Sequence, residues 1–211
     1  MNRKISYLFT LLALAMVAFP LSAQTANELV KEMITVFEKS AISAQYTLSV
    51  QEQGTEFPQT FQGKILMSGD KFNLQAVGLD VRYDGKTQYV YMEDADELSI
   101  SEPTSDELLQ TNPILMAKAM FVTCDVKFVG GTNSGIYHIE FIPKEKSADL
   151  ESLTVKIRKS DKMLVQLTMI SGQGVVSELF LMGQVAGVKT SDADFVIAET
   201  DYPNAFLNDL R

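Results

Sequence analysis

Outside its middle section, this chain carries its apolar residues on every second position from Tyr46 to about Met182, and no other feature limits its fold so tightly. Tyr46, Leu48 and Val50 alternate with Thr47, Ser49 and Gln51. Phe61, Gly63, Ile65 and Met67 form the next run, then Phe72, Leu74 and Ala76, then Leu79, Val81 and Tyr83. Successive side chains of a strand point to opposite faces, so this alternation marks strands with one face in a core. Turn formers separate the runs: Gly54 and Pro58, Ser68-Gly69-Asp70, Gly78, and Asp84-Gly85, which reads as a two-residue hairpin turn. Short strands with turns at this spacing predict an antiparallel meander that closes into a sandwich or barrel.

Helical spacing replaces the alternation in two places. Before the first strand, Leu29, Val30, Met33, Ile34 and Phe37 line one side of a segment whose start is marked by Thr25 and Glu28, a capping-box pair. In the middle, Thr104 to Phe121 reads as helix interrupted at Pro113. Thr104 with Glu107 forms a second capping box, and Asn112 suits a new N-terminus. Ile114, Leu115, Met116, Ala119, Met120 and Phe121 give the second piece a broad apolar surface. Alternation then resumes through Val126 and Phe128; Tyr137, Ile139 and Phe141; Leu153, Val155 and Ile157; Met163 to Ile170; and Val175 to Met182. Turns are expected at Gly130-Gly131, Asn133-Ser134-Gly135, Ser160-Asp161-Lys162 and Gly172-Gln173-Gly174. The expectation is one α+β domain.

The first residues read as a secretory signal peptide: Arg3 and Lys4, an apolar run from Tyr7 to about Phe19, then Pro20 and the small pair Ser22-Ala23. The apolar run is shorter than the roughly 18–20 residues that span a bilayer. Cleavage after Ala23 would leave residues 24–211 as the mature domain, long enough for a sizeable core. Gln24 stands where a lipoprotein signal needs Cys, so the expected product is a soluble periplasmic protein. Removing Arg3 and Lys4 takes the formal charge from −9 to −11. Such a chain is repelled by nucleic acid and by anionic membrane surfaces.

The residues offer little to catalysis. His138 is the only histidine and Cys124 the only cysteine, so no internal disulfide forms and triad chemistry would have to be built around one strand residue. Cys124 reads as a small buried hydrophobe. Asp94, Asp96 and Glu97 lack the alternating ligand pattern of a calcium loop and read as a solvated turn. Gly172-Gln173-Gly174 opens no helix and so makes no phosphate loop. Neither an enzymatic activity nor a cofactor is expected.

Apolar surface, by contrast, is abundant. Tyr89 to Met92, Met163 to Val165 and Leu179 to Met182 are apolar on both faces, where a sheet with one wet face alternates. Either helices pack on part of the sheet or the sheet encloses something. Eight methionines lie beyond Ala23, a flexible side chain suited to adaptable binding surfaces.

The local wording completes the reading. Gly63-Lys64-Ile65-Leu66-Met67, the loop Ser68 to Lys71 and Phe72-Asn73-Leu74 precede Tyr83-Asp84-Gly85-Lys86-Thr87-Gln88-Tyr89-Val90-Tyr91, and a helix follows at Asn112-Pro113-Ile114-Leu115-Met116-Ala117. In this order the segments resemble the LolA family of periplasmic carriers of outer-membrane lipoproteins. The likeness extends through Gly130-Gly131 and Tyr137 to Lys144 to about Phe195.

The resemblance implies an incomplete, strongly curved antiparallel β-barrel with helices covering its concave face. It also implies an empty-handed function: accepting acylated lipoproteins from an inner-membrane ABC exporter and passing them to an outer-membrane acceptor or the outer membrane itself. A sixteen-carbon chain in water costs on the order of 10 kcal/mol, so such a crossing needs an apolar sleeve. Phe72 matches the family's strand Phe, Leu74 stands where an aromatic is common, and Met116 and Ala117 fall on its lid helix. The family's loop Arg, which hydrogen-bonds the lid, has no counterpart in Ser68-Gly69-Asp70-Lys71, so that contact does not carry over. The lipid-binding lining expected on this basis is Leu48, Val50, Ile65, Met67, Phe72, Leu74, Val81, Tyr89, Tyr91, Leu115, Met116, Met120, Leu167, Met169, Leu179 and Leu181. Parity leaves each strand's set open to a flip of face. The alternative on the same fold is a regulatory domain of the cell envelope that senses lipid or lipoprotein.

Overall fold

The computed structural model describes residues 25–131, 135–145 and 150–211; the signal-peptide reading and part of the turn at Asn133-Ser134 lie outside them. Among the described residues twelve strands form one sheet in the order β12-β6-β5-β4-β3-β2-β1-β11-β10-β9-β8-β7, with β12 and β7 at its ends. They are β1 (Ile42–Gln51), β2 (Gln59–Ser68), β3 (Lys71–Ala76), β4 (Leu79–Tyr83), β5 (Gln88–Met92), β6 (Glu97–Ser101), β7 (Cys124–Gly130), β8 (Ile136–Pro143), β9 (Ser152–Arg158), β10 (Leu164–Ile170), β11 (Val176–Ala186) and β12 (Phe206–Asp209). The sheet is curved and does not close, and the helices α1 (Ala26–Lys39), α2 (Ser105–Thr111) and α3 (Pro113–Thr123) complete a mostly-sheet α+β fold.

Local chemistry starts the helices where the sequence reading places them. The Thr25 hydroxyl accepts from the Glu28 amide at 3.2 Å while the Glu28 carboxylate accepts from the Thr25 amide at 2.9 Å. Thr104 and Glu107 repeat the arrangement for α2. Asn112 ends α2 and caps α3, its side-chain oxygen accepting from the amides of Ile114 and Leu115. These caps satisfy amides that have no partner inside a helix.

Leu29, Val30, Met33 and Phe37 of α1 and Ile114 and Ala117 of α3 are buried against Ile42, Met67, Phe72, Ile139, Phe141, Leu153, Val155 and Ile157. The residues of odd or even parity singled out in the sequence thus meet on the concave face. Cys124 is buried and unpaired at the start of β7, as a small hydrophobe. His138 is half-buried in β8, opposite Lys156 and Gly130.

Three local expectations are corrected. The β4–β5 reversal sits one residue later than Asp84-Gly85: Gly85 and Lys86 form its tip, and the Asp84 amide donates to the Thr87 carbonyl. The Asp84 carboxylate accepts from the Lys86 and Thr87 amides, so it serves the turn with its side chain. Glu97 belongs to strand β6, where its carboxylate accepts from Ser99 and Asn208. The sheet is not purely antiparallel: after β11 the chain returns and lays β12 parallel to β6.

That returning segment gives the convex face its own small core. Leu98, Ile100 and Ile197 are buried there with Tyr89, Tyr91, Tyr202 and Ala205 around them. Tyr91 and Tyr202 stack with ring centroids 3.6 Å apart. Beneath lies Asp80, buried, accepting from both Arg82 (2.7 Å) and the Tyr202 hydroxyl (3.2 Å), while Arg82 also donates to the Val196 carbonyl at 2.7 Å.

Candidate functional site: an apolar cavity on the concave face

Six strands and one helix line a cavity of about 440 Å³. Tyr46, Leu48 and Val50 come from β1, Phe61 and Ile65 from β2, Phe72, Leu74 and Ala76 from β3, and Leu79 and Val81 from β4. Leu167 and Met169 of β10 and Ser177 and Leu179 of β11 supply the opposite wall, and Met116 of α3 reaches in from above. Register explains the convergence: Tyr46 faces Leu181, Leu48 faces Leu179, Ile65 faces Leu74, and Leu74 faces Val81, so one parity runs across the sheet.

The cavity has a blind end and a mouth. Tyr46, Ile65 and Phe72 are almost fully buried at one end, whereas Val50, Leu79 and Ser177 are partly exposed and Phe61 is 48% exposed at the other. Burial pushes the Tyr46 phenol up, which keeps it neutral. Among the described residues that line it, the Ser177 hydroxyl and the Tyr46 phenol are the polar side-chain groups, and none carries a charge. A lining of this kind favours a ligand that loses hydrocarbon surface to it, because burying apolar area is what it offers.

Gly63 shapes the wall. It stands opposite Tyr46 in β1, and a Cβ there would lie 1.9 Å from the Gln75 carbonyl oxygen and 2.8 Å from the Tyr46 ring. Strands β2 and β3 can approach this closely only with glycine at that position.

Ten of the sixteen residues expected from sequence line the cavity: Leu48, Val50, Ile65, Phe72, Leu74, Val81, Met116, Leu167, Met169 and Leu179. The other six do not. Met67 and Leu181 share the concave parity but are sealed in the core beneath the helices. Tyr89 and Tyr91 lie on the convex face: Val90 is the residue of β5 that faces Val81, while Tyr89 and Tyr91 face Arg82 and Asp80. Leu115 is half-buried on α3 away from the cavity, and Met120 borders a separate crevice with Cys124, Pro143 and Leu150. Tyr46, Phe61, Ala76, Leu79 and Ser177 line the cavity without having been singled out for it; all but Ser177 sit in the alternating runs and share the parity of lining neighbours on their own strands.

Helix α3 is apolar on every side except for Lys118, its only charged residue. The Lys118 ammonium lies 2.9 Å from Glu38 of α1 and 3.7 Å from Asp70 in the β2–β3 loop. The hydrogen bond to Glu38, assisted by the Asp70 charge, holds it above the ordinary lysine value. The β2–β3 loop thus supplies an acid, and the helix supplies the cation. Among the described residues no helix is long and apolar enough to cross a membrane.

No known family model matches the chain, and no curated protein sequence does. Solved structures do. An uncharacterized conserved protein from Thermus thermophilus aligns over 87% of this chain and 98% of its own, with a TM-score of 0.58 at 12% identity. A LolA superfamily protein from Nitrosomonas europaea covers 82% and 98% with a TM-score of 0.44 at 11% identity. The Pseudomonas aeruginosa MucA/MucB complex covers 82% and 61% with a TM-score of 0.45 at 9% identity. Identity this low speaks to fold alone: the Thermus protein shares this fold over nearly its whole length.

Proposed function

We propose that this protein is a periplasmic carrier that takes the acyl chains of lipoproteins into the concave cavity and moves them from the inner to the outer membrane. The observation that carries the reading is the cavity itself: a lining of fourteen apolar side chains and one serine, roofed by an apolar helix whose Lys118 is tied to Glu38. At roughly 0.8 kcal/mol per buried methylene, such a lining recovers much of the cost of carrying a chain through water. Half-buried methionines, Met116 and Met169, adapt to chains of differing course. An inner-membrane ABC exporter would load the carrier, and an outer-membrane acceptor or the outer membrane itself would unload it. Export by the signal peptide and cleavage after Ala23 belong to the same proposal.

Native mass spectrometry of the mature protein purified from its own envelope tests it. Co-purified diacylated or triacylated lipoproteins are expected, lost in Met116→Glu, which puts a charge into the cavity, and kept in Val185→Glu on an exposed strand position. Free fatty acid or phospholipid alone would replace lipoprotein by a general lipid cargo. A protein that takes up neither would refute the carrier and leave the sensing domain. Intact mass of the same sample reports the cleavage site.

A further inference from the structure

We infer that, with α3 in place, the cavity holds one acyl chain of about 17 carbons and no more. This rests on reading the cavity as an acyl site and specifies the ligand class: a single saturated chain whose polar end stays at the mouth.

Capacity comes from volume. An apolar cavity of ~150 Å³ holds one benzene, or roughly 25 Å³ per carbon. The cavity of about 440 Å³ then accommodates about 17 carbons. Two sixteen-carbon chains would need roughly 800 Å³ on the same scale. The wall that would have to leave is α3, since the strands opposite Met116 are tied into one continuous sheet. Ile114 and Ala117 of α3 are buried in the core, so its departure is a change of state rather than a side-chain adjustment.

Orientation comes from burial and polarity. Phe72, Ile65 and Tyr46 close the inner end, and the terminal methyl of the chain fits there. Ser177, second in β11 and opposite Val50, marks the end where a headgroup meets water. Among the described residues no cation lines the site, so an ester or amide terminus suits it better than a carboxylate. A multi-acylated cargo therefore enters the closed protein one chain at a time, or loads only after α3 has moved.

The test uses delipidated full mature protein and single-chain lysophosphatidylcholines with 10 to 20 carbons, below their aggregation limits. Titration calorimetry should show affinity rising about fourfold per methylene, the equivalent of roughly 0.8 kcal/mol, up to sixteen to eighteen carbons and flat beyond. Native mass spectrometry should show one chain per protein. Ala76→Leu, which adds three carbons to the lining, should move the break to chains about three carbons shorter; Ser177→Leu does the same from the opposite wall if the first variant folds poorly. Affinity that keeps rising through twenty carbons, two chains bound per protein, or a break unmoved in both variants overturns the inference while leaving the acyl site standing. Failure of every chain length to bind overturns both.

Discussion

Leu153 and Leu179 lie on the same concave face, yet truncating them should cost very different amounts, and the difference reports whether the cavity exists in solution. Leu153 of β9 is fully buried in close packing beneath the helices. Leu153→Ala removes three carbons, about 2.4 kcal/mol of transfer at 0.8 per methylene. It also opens roughly 75 Å³, adding nearly 2 kcal/mol at 24 cal/mol per Å³, for a total of about 4 kcal/mol. Leu179 of β11 is half-buried and already borders empty space, so no new void is created. Half the transfer term remains, about 1 kcal/mol. In a domain of this size the two variants should lose about 12 °C and about 3 °C in Tm. Urea denaturation of delipidated protein measures both. Adding a saturating sixteen-carbon lysolipid should deepen the Leu179→Ala loss, because the bound chain now touches that side chain, and leave the Leu153→Ala loss unchanged. Costs within 0.5 kcal/mol of each other in the empty protein would mean that the cavity is collapsed or filled, and the proposed site would fall with it.

Gly63→Ala should destabilise by about 3 kcal/mol or abolish folding, since its Cβ would sit 1.9 Å from a carbonyl oxygen; chemical denaturation checks this. Lys118→Met should weaken the hold on α3 by up to about 1 kcal/mol, raising amide exchange in α3 two- to fivefold, and should remove the salt dependence of that exchange. Arg82→Ala leaves Asp80 buried without its cation and frees Val196, for a loss of about 3–5 kcal/mol and exposure of the Tyr91–Tyr202 stack to near-ultraviolet dichroism. Acid should fray α2 before the sheet: the Thr104 amide and hydroxyl hold Glu107 below the usual carboxylate range, so its contribution is complete above the unfolded value of ~4.3 and lost as pH falls through the lower folded value. Amide exchange of Leu108 between pH 5 and 3 shows it, and a Glu107→Gln variant with the same pH profile would contradict the assignment.

The sequence disclosed most clearly what is decided over three or four residues. Thr25 with Glu28, Thr104 with Glu107, and Asn112 before Pro113 mark helix starts because one side chain meets a nearby amide. Strand parity was equally open to reading within each strand, but which set faced inward was left open, and only the register set the residues of β1, β2, β3, β4, β10 and β11 on a common face. What escaped depends on distant partners. Strand β6 begins with Glu97 after a run of acids, and its carboxylate is held there by Ser99 together with Asn208, 111 positions away. Strand β12 has no alternation of its own and exists because β6 offers an edge. Lys118 looks like a stray charge on a greasy helix until Glu38 and Asp70 are brought to it.

The strands that are apolar on both faces turn out to have two causes, which explains why the site was only partly foreseen. In β10 and β11 the second apolar face accompanies a concave wall that lines the cavity, with Leu167 and Leu179 inward. In β5 the extra apolar residues, Tyr89 and Tyr91, belong to the convex side, where Ile197 and Tyr202 cover them. Composition cannot separate the two, because both remove the same kind of surface from water. Register can: once Leu74 is set opposite Val81, Val90 must follow on the concave face and the two tyrosines must turn away. The convex strap is tied to β3 and β4 through Asn73, Asp80 and Arg82, on the face of the sheet away from the cavity. On the concave side the cavity is roofed by α3, whose Lys118 reaches Glu38 and Asp70, so wall and roof are anchored by separate sets of contacts on opposite faces of the sheet.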